Sequence, residues 1–146
     1  LLQKGFQIYG CDLSKKMLRI SSGRLNSLSP RIIQADNKEL PLKDNYFFKV
    51  ISTFPSDYVL SEDFICECKR VLRENGEIII LLSVIFPKND LISVFYRNLY
   101  NITGQSNSKI VSENIINTQF TLNNNVSIHW IPYRNVELCF LIIKNR

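Results

Sequence analysis

Short apolar runs and amphipathic stretches alternate along the first half of the chain. The apolar runs are rich in β-branched and aromatic residues and predict strands, whereas apolar residues at helical spacing predict helices. The predicted strands cover residues 6–11, 31–35, 47–53 and 77–84, and the predicted helices cover 14–25 and 61–75. The run 77–84 is apolar almost throughout, which is typical of a strand buried on both faces at the centre of a parallel sheet.

The second predicted helix carries signals at both ends. Ser61 is placed to cap its start, and Glu62 and Asp63 in the first turn suit the positive end of the helix dipole. Asn75-Gly76 is expected to terminate it in a tight turn of positive φ.

The second half predicts two helices followed by two strands. The helices cover residues 90–102 and 112–117, and the strands cover 126–131 and 136–144. The connection between the last two strands is short, so they should form an antiparallel hairpin. The alternation of strands and helices implies a mostly parallel sheet with helices on both faces. We therefore expect one α/β domain over residues 1–146.

Composition narrows the function classes. The formal charge of +5 is spread over isolated lysines and arginines, which favours a mildly basic surface rather than a nucleic-acid site. No apolar run approaches the roughly 20 residues of a membrane span, and no secretory signal pattern is present. Four cysteines, interpreted as reduced thiols, favour a cytoplasmic location. Cys66 and Cys68 point to different sides of a helix and His129 is the only histidine, so no metal site is predicted.

Three segments in order resemble class I S-adenosylmethionine-dependent methyltransferases, in particular the type 11 branch that acts on small molecules. Residues 8–14 read IYGCDLS and are similar to the family's second strand with G-x-D-x-S. Residues 35–50 contain A-D-N, L-P-L and D-N-x-F, and residues 69–76 read KRVLRENG, similar to the family's R-V-L-R-P-G-G turn. The resemblance covers residues 6–82 by motif and implies a Rossmann-like fold with S-adenosylmethionine as cofactor.

The resemblance implies a set of cofactor-binding residues. Asp12 would accept hydrogen bonds from the ribose hydroxyls, and Leu13 would lie against the adenine ring. Asp36 would accept from the adenine exocyclic amine, the Asn37 N–H would reach a ring nitrogen, and Thr53 would be a further contact. From the residues alone, Asp12 could instead serve only as a helix cap and Asp36 only as an exposed turn residue.

The loop after the third strand is where the family places acceptor-facing residues. Phe54, Asp57 and Tyr58 are therefore the candidates for substrate contacts. The loop does not match the Asn/Asp-Pro-Pro-Tyr/Phe motif of enzymes that methylate amino groups, so the acceptor is expected to be an oxygen or carbon of a small molecule. No catalytic residue is assigned, because a sulfonium donor requires a base only when the acceptor loses a proton.

The sequence departs from the family in three places, one of which is Glu74-Asn75 in place of Pro-Gly before the fourth predicted strand. The first strand and glycine-rich loop would precede Leu1, so we expect a domain incomplete at its N-terminus, a gap in the middle of the sheet and an isolated fragment that is unstable and binds poorly. Phe48 stands where the family usually has Asp.

Two rival functions remain open at this point. One is a degenerate, non-catalytic methyltransferase-like module. The other is an NAD-type oxidoreductase, which also places an acid on the ribose but predicts a further parallel crossover in place of the final hairpin. The sequence determines no oligomeric state.

Overall fold

A computed structural model describes residues 1–25, 31–53, 61–85 and 125–146. The predicted helices at 90–102 and 112–117 lie outside these residues. The elements are a short 3-10 helix Leu2–Lys4, β1 Tyr9–Asp12, α1 Lys15–Leu25, β2 Arg31–Gln34, β3 Phe47–Thr53, α2 Glu62–Val71, β4 Leu72–Ile85, β5 Val126–Tyr133 and β6 Val136–Lys144.

The described strands form two sheets. β1 and β2 make a parallel pair, and the second sheet has the order β3-β4-β6-β5. β3 and β4 are parallel, while β6 runs antiparallel to both β4 and β5. The α/β class and the C-terminal antiparallel hairpin are confirmed. The separation of the described strands into two sheets matches the gap that was expected from the sequence.

The core lies between α2 and one face of the four-stranded sheet. Alternate residues of β4 and β6 face the helix because successive strand side chains point to opposite faces. The cluster consists of Phe64, Cys68, Leu72, Ile78, Ile80, Leu141 and Ile143, all buried. Each large apolar side chain buried here contributes about 1.5–3 kcal/mol. Burial also raises the pKa of the Cys68 thiol to about 12, so this thiol stays protonated.

The end predicted for α2 is wrong. Ser61 caps the helix as expected, accepting a hydrogen bond from the Phe64 N–H at 3.3 Å, but the helix ends at Val71 and not at Asn75-Gly76. Leu72 is already extended, with φ −79° and ψ 142°, because it pairs with Phe47 at the start of β3.

Asn75 and Gly76 therefore lie within β4. Asn75 has the expected positive φ, 60°, whereas Gly76 is needed for a different reason. A Cβ on Gly76 would lie 2.8 Å from the Arg73 carbonyl oxygen and 2.9 Å from Leu72 Cδ2. Close packing against this backbone therefore requires glycine.

Asn145 ties the end of the chain to the end of α2. Its Nδ2 donates to the carbonyl oxygens of Lys69 and Leu72, both at 3.3 Å, and of Arg73 at 3.2 Å. The last carbonyls of a helix have no partner within the helix. Asn145, directly after β6, supplies a further donor to these carbonyls from a distant part of the sequence.

The first strand begins later than the sequence predicted, at Tyr9 and not at residue 6. Gly5 takes a left-handed conformation with φ 80° before it, and Phe6 is exposed. The Tyr9 ring lies 5.2 Å from Phe47 and 6.2 Å from Tyr46, both edge-on. These aromatic contacts join the two sheets across the break.

Candidate functional site

Asp12 is the last residue of β1 and is half-buried. Its Oδ1 accepts a hydrogen bond from the Ser14 N–H at 2.8 Å, just before α1. Ser14 in turn accepts from the Met17 N–H at 3.4 Å through its hydroxyl. Asp12 therefore stabilises the turn that precedes α1, and Ser14 caps the helix. The bond to the Ser14 N–H engages one oxygen of a carboxylate that has two, so it does not exclude a ligand role.

Leu13 presents apolar surface beside this carboxylate. Its side chain is 64% exposed, and its carbonyl oxygen accepts from Gln34 Nε2 at 3.2 Å. Gln34 is the last residue of β2. The loop after β1 is thus fixed to the end of the neighbouring strand while the leucine side chain stays accessible.

Asp36 follows β2 at the same edge of the sheet. Asp12 pairs with Gln34, and the Asp12 carbonyl oxygen accepts from the Ala35 N–H at 3.3 Å. Asp36 Oδ1 accepts from its own turn, from the Lys38 N–H at 2.9 Å, and its side chain is exposed. Asp36, like Asp12, therefore closes a local turn and also lies at the carboxyl edge of the two strands.

The other predicted residues divide into two groups. Asn37 is half-buried directly after Asp36, and Thr53 is the exposed last residue of β3, at the carboxyl end of a strand in the other sheet. Phe54, Asp57 and Tyr58 lie outside the described residues. Phe48, the departure from the family pattern, is exposed on β3 with the Arg73 guanidinium 4.5 Å from its ring centre.

A network that the sequence did not predict holds the segment after Asp36. Arg70 donates to both carboxylate oxygens of Glu67, at 2.8 and 2.6 Å. It also donates to the carbonyl oxygens of Leu40 at 2.8 Å and Leu42 at 2.9 Å, and to the Asp44 carboxylate. The i,i+3 spacing of Glu67 and Arg70 signals a helix pair, but nothing local indicates the loop partners, 26–30 residues away.

The network shifts the pKa values of both partners in the directions that favour their charged forms. The hydrogen bond from Arg70 lowers the pKa of the Glu67 carboxyl, and burial opposes this less strongly. Glu67 and Asp44 in turn raise the pKa of Arg70. An open cleft of about 600 Å³ separates this part of α2 from the turn after β2. It is lined by Asp36, Lys38, Glu39, Asp63, Cys66, Glu67 and Arg70.

Two further observations concern metals and membranes. Within 1–25, 31–53, 61–85 and 125–146, no three His, Cys, Asp or Glu side chains are grouped closely enough to hold a metal ion. None of the helices in these same ranges has the length and apolar character needed to cross a bilayer.

Comparison with known proteins identifies the fold and the family. Residues 1–80, which contain both aspartates, match the family model described as a methyltransferase domain. No curated protein matches the chain in sequence.

Three solved structures are similar over almost all of this chain. The PH0226 protein from Pyrococcus horikoshii has 16% identity and a TM-score of 0.60, covering 97% of this chain and 75% of that one. A SAM-dependent methyltransferase from Aquifex aeolicus has 16% identity and a TM-score of 0.57, covering 94% and 69%. Geranyl diphosphate C-methyltransferase from Streptomyces coelicolor has 11% identity and a TM-score of 0.61, covering 97% and 65%.

The sheet order, the terminal hairpin and these neighbours define the fold as that of the Rossmann-like class I methyltransferases. The chain belongs to the methyltransferase domain family of type 11, and its cofactor is S-adenosylmethionine. An NAD-type oxidoreductase would have a further parallel crossover at this point of the chain. β5 and β6 instead form an antiparallel hairpin, which argues against that alternative.

Proposed function

We propose that this protein transfers the methyl group of S-adenosylmethionine to an oxygen or carbon atom of a small-molecule acceptor. One observation carries the proposal for the cofactor side: Asp12, the last residue of β1, and Asp36, just after β2, lie at the same carboxyl edge of two parallel strands, with exposed Leu13 next to Asp12. Ligands of open α/β sheets bind in the crevice at this edge.

The chemistry of these side chains suits an adenosine group. The Asp12 oxygen that does not accept from the Ser14 N–H would accept from the ribose hydroxyls, and Leu13 would cover one face of the adenine. Asp36 would accept from the exocyclic amine, and the Asn37 N–H would donate to a ring nitrogen. Thr53 would contact the cofactor from the end of β3. A hydrogen bond to a charged group contributes about 1.5–3 kcal/mol, enough for two carboxylates to select adenosine.

The cofactor, when bound, supplies an electrophilic methyl group. The residues of this chain then bind and orient the two reactants, since an in-line displacement depends mainly on positioning. A base is needed only where the acceptor loses a proton. Phe54, Asp57 and Tyr58 are our candidates for acceptor contacts.

Three arguments favour a small acceptor in the cytoplasm. A neighbour with a TM-score of 0.61 is a C-methyltransferase of geranyl diphosphate. The lysines and arginines are dispersed, whereas nucleic-acid binding needs a concentrated basic face. All four cysteines are free thiols, which suits a reducing compartment.

Methyl transfer from isotopically labelled S-adenosylmethionine tests the proposal. The full-length protein is incubated with separated small-molecule, nucleic-acid and protein fractions of a cell extract. We expect label in the small-molecule fraction, on oxygen or carbon by NMR, and reduced transfer in Asp57→Asn and Tyr58→Phe but not in Ser56→Ala. Label in nucleic acid or protein would contradict the proposed acceptor class. Cofactor binding without transfer to any fraction would support the non-catalytic module instead.

A further inference from the structure

We infer that Arg70, together with Glu67, positions the cofactor-facing turn and thereby sets how strongly the protein recognises the adenine amine. The turn consists of residues 36–39, and the segment that Arg70 holds consists of residues 40–44. The inference rests on the proposed role of Asp36. It assigns to α2, which contacts no cofactor atom in the proposal, a share in cofactor recognition.

Glu67 and Arg70 together hydrogen-bond to both backbone polar groups of Leu40. The Leu40 N–H donates to Glu67 Oε1 at 2.6 Å, and the Leu40 carbonyl oxygen accepts from Arg70 Nη2 at 2.8 Å. Arg70 Nη1 then holds the Leu42 carbonyl oxygen at 2.9 Å and the Asp44 carboxylate. One guanidinium thus bonds to three points of the segment.

The main chain of α2 continues the attachment beyond Asp44. The Asn45 N–H donates to the Arg70 carbonyl oxygen and the Tyr46 N–H to the Val71 carbonyl oxygen, each at 2.9 Å. These bonds anchor the end of the segment whatever side chain stands at position 70. The side chains of Arg70 and Glu67 therefore act mainly at the end nearer to Asp36.

A short, rigid path connects Leu40 to Asp36. The Glu39 N–H donates to the Asp36 carbonyl oxygen at 3.1 Å, and Asp36 Oδ1 accepts from the Lys38 N–H at 2.9 Å. The turn is closed on itself, so it moves as a unit with the residue that follows it. An ion pair of 3.8 Å between the exposed side chains of Lys38 and Asp63 is a further link between the turn and α2.

Arginine is specifically suited to this position. Its planar guanidinium presents five N–H donors in a fixed geometry, whereas lysine offers a single flexible ammonium. The Glu67 side chain is 13% exposed and that of Arg70 33% exposed, so solvent has limited access to the pair. A lysine would keep the charge but would lose the simultaneous contacts to Glu67, Leu40 and Leu42.

A purely structural role predicts a different result from a positioning role. If Arg70 only stabilised the fold, its loss would weaken binding of every cofactor analogue by the same factor. If it positions Asp36, its loss weakens selectively the ligand that carries the exocyclic amine. The discrimination between two ligands is therefore the informative quantity.

The experiment measures calorimetric affinities of the full-length protein for two ligands. One is S-adenosylhomocysteine, and the other is the analogue in which hydrogen replaces the adenine amine. The wild type should bind the first about tenfold or more tightly than the second, the factor for one hydrogen bond to a charged group. In Arg70→Lys the ratio should fall to roughly twofold or less, because Asp36 is no longer held in place.

Two further variants make the result decisive. Glu67→Gln keeps an oxygen for the Leu40 N–H but loses the charge that orients Arg70, and should lower the ratio in a protein that remains folded by thermal melting. Arg73→Lys is the matched control, because Arg73 lies over the Phe48 ring and makes no described bond to residues 36–44. It should leave the ratio at the wild-type value.

The outcomes separate this inference from the function on which it rests. A reduced ratio in Arg70→Lys and Glu67→Gln, with Arg73→Lys unchanged, supports it. Equal weakening of both ligands, with the ratio unchanged, overturns it while leaving the proposed function intact. Failure of the wild type to bind either ligand overturns the proposed function and this inference together.

Discussion

At the scale of single residues, small features of geometry decide which side chain a position accepts. Asp12 and Asp36 each bond to a nearby backbone N–H, yet each retains carboxylate capacity for a ligand. Gly76 illustrates the opposite constraint. It is fixed not by its φ but by the carbonyl oxygen of Arg73, which leaves no room for a methyl group.

Gly76→Ala should destabilise the protein by about 1–3 kcal/mol, because its Cβ would overlap backbone that cannot move freely. Gly23→Ala is the matched control. Gly23 lies in α1, and a methyl group at this position would have no packing neighbour within 4 Å among the described residues, so alanine should stabilise the helix by roughly 0.5–1 kcal/mol. Urea unfolding measures both. Equal effects of the two substitutions would contradict the packing argument.

At the scale of elements, α2 shows what local sequence can and cannot predict. The start of the helix was predictable because Ser61 and the acids after it act within one turn. The end was not, because Leu72 leaves the helix to pair with Phe47 and is fully buried, both consequences of tertiary structure. β3 was predicted with its observed bounds, since its β-branched and aromatic composition is a local signal.

Asn145→Ala should destabilise the protein by about 1–3 kcal/mol. The substitution removes the amide that donates to the carbonyl oxygens of Lys69, Leu72 and Arg73 at the end of α2. Asn135→Ala, in the exposed turn between β5 and β6, should change stability by less than about 0.5 kcal/mol. The two variants are compared by urea unfolding. A neutral Asn145→Ala would show that water replaces this cap without cost.

Acidification should destabilise the Glu67–Arg70 network. The pKa of Glu67 is lowered in the folded state, mainly by the hydrogen bond from Arg70. Its contribution is therefore fully present above the ordinary carboxyl pKa and is lost as the pH falls through the lowered value. Glu67→Gln should show a smaller loss of melting temperature than the wild type between neutral and strongly acidic pH.

The control for this pH dependence is Glu74→Gln, which changes an exposed carboxylate. Its melting temperature should follow that of the wild type over the same pH range. If Glu67→Gln and the wild type lose stability in parallel, Glu67 is not the group responsible.

At the scale of the whole molecule, the described residues divide into a large sheet with a core and a small sheet almost without one. The buried cluster joins α2 to β4 and β6, whereas Ala35 is the buried hydrophobic residue beside β1 and β2 in the described ranges. The sequence predicted the terminal hairpin and the break in the sheet, because each motif marks a particular strand. The motifs could not predict the Arg70 contacts, which depend on how α2 lies against a loop distant in sequence.

This asymmetry predicts uneven protection of the backbone. An isolated two-stranded sheet is marginally stable, so amides of Tyr9–Asp12 and Arg31–Gln34 in this chain should exchange hydrogen much faster than those of Ile78, Ile80 and Leu141. Hydrogen–deuterium exchange measures the difference directly. Equal protection of both sheets would mean that the aromatic contacts of Tyr9 couple them more strongly than their burial indicates.

The affinity of the full-length protein for S-adenosylhomocysteine, with and without the Asp12 charge, tests most directly whether the strand-end carboxylates bind adenosine. Asp12→Asn keeps an oxygen for the Ser14 N–H and so preserves the turn before α1, whereas Ser14→Ala removes the capping hydroxyl and keeps the charge. We predict that Asp12→Asn weakens binding about tenfold to a hundredfold, the loss of one hydrogen bond to a charged group, and that Ser14→Ala binds as the wild type does. Unchanged affinity in Asp12→Asn would contradict the account.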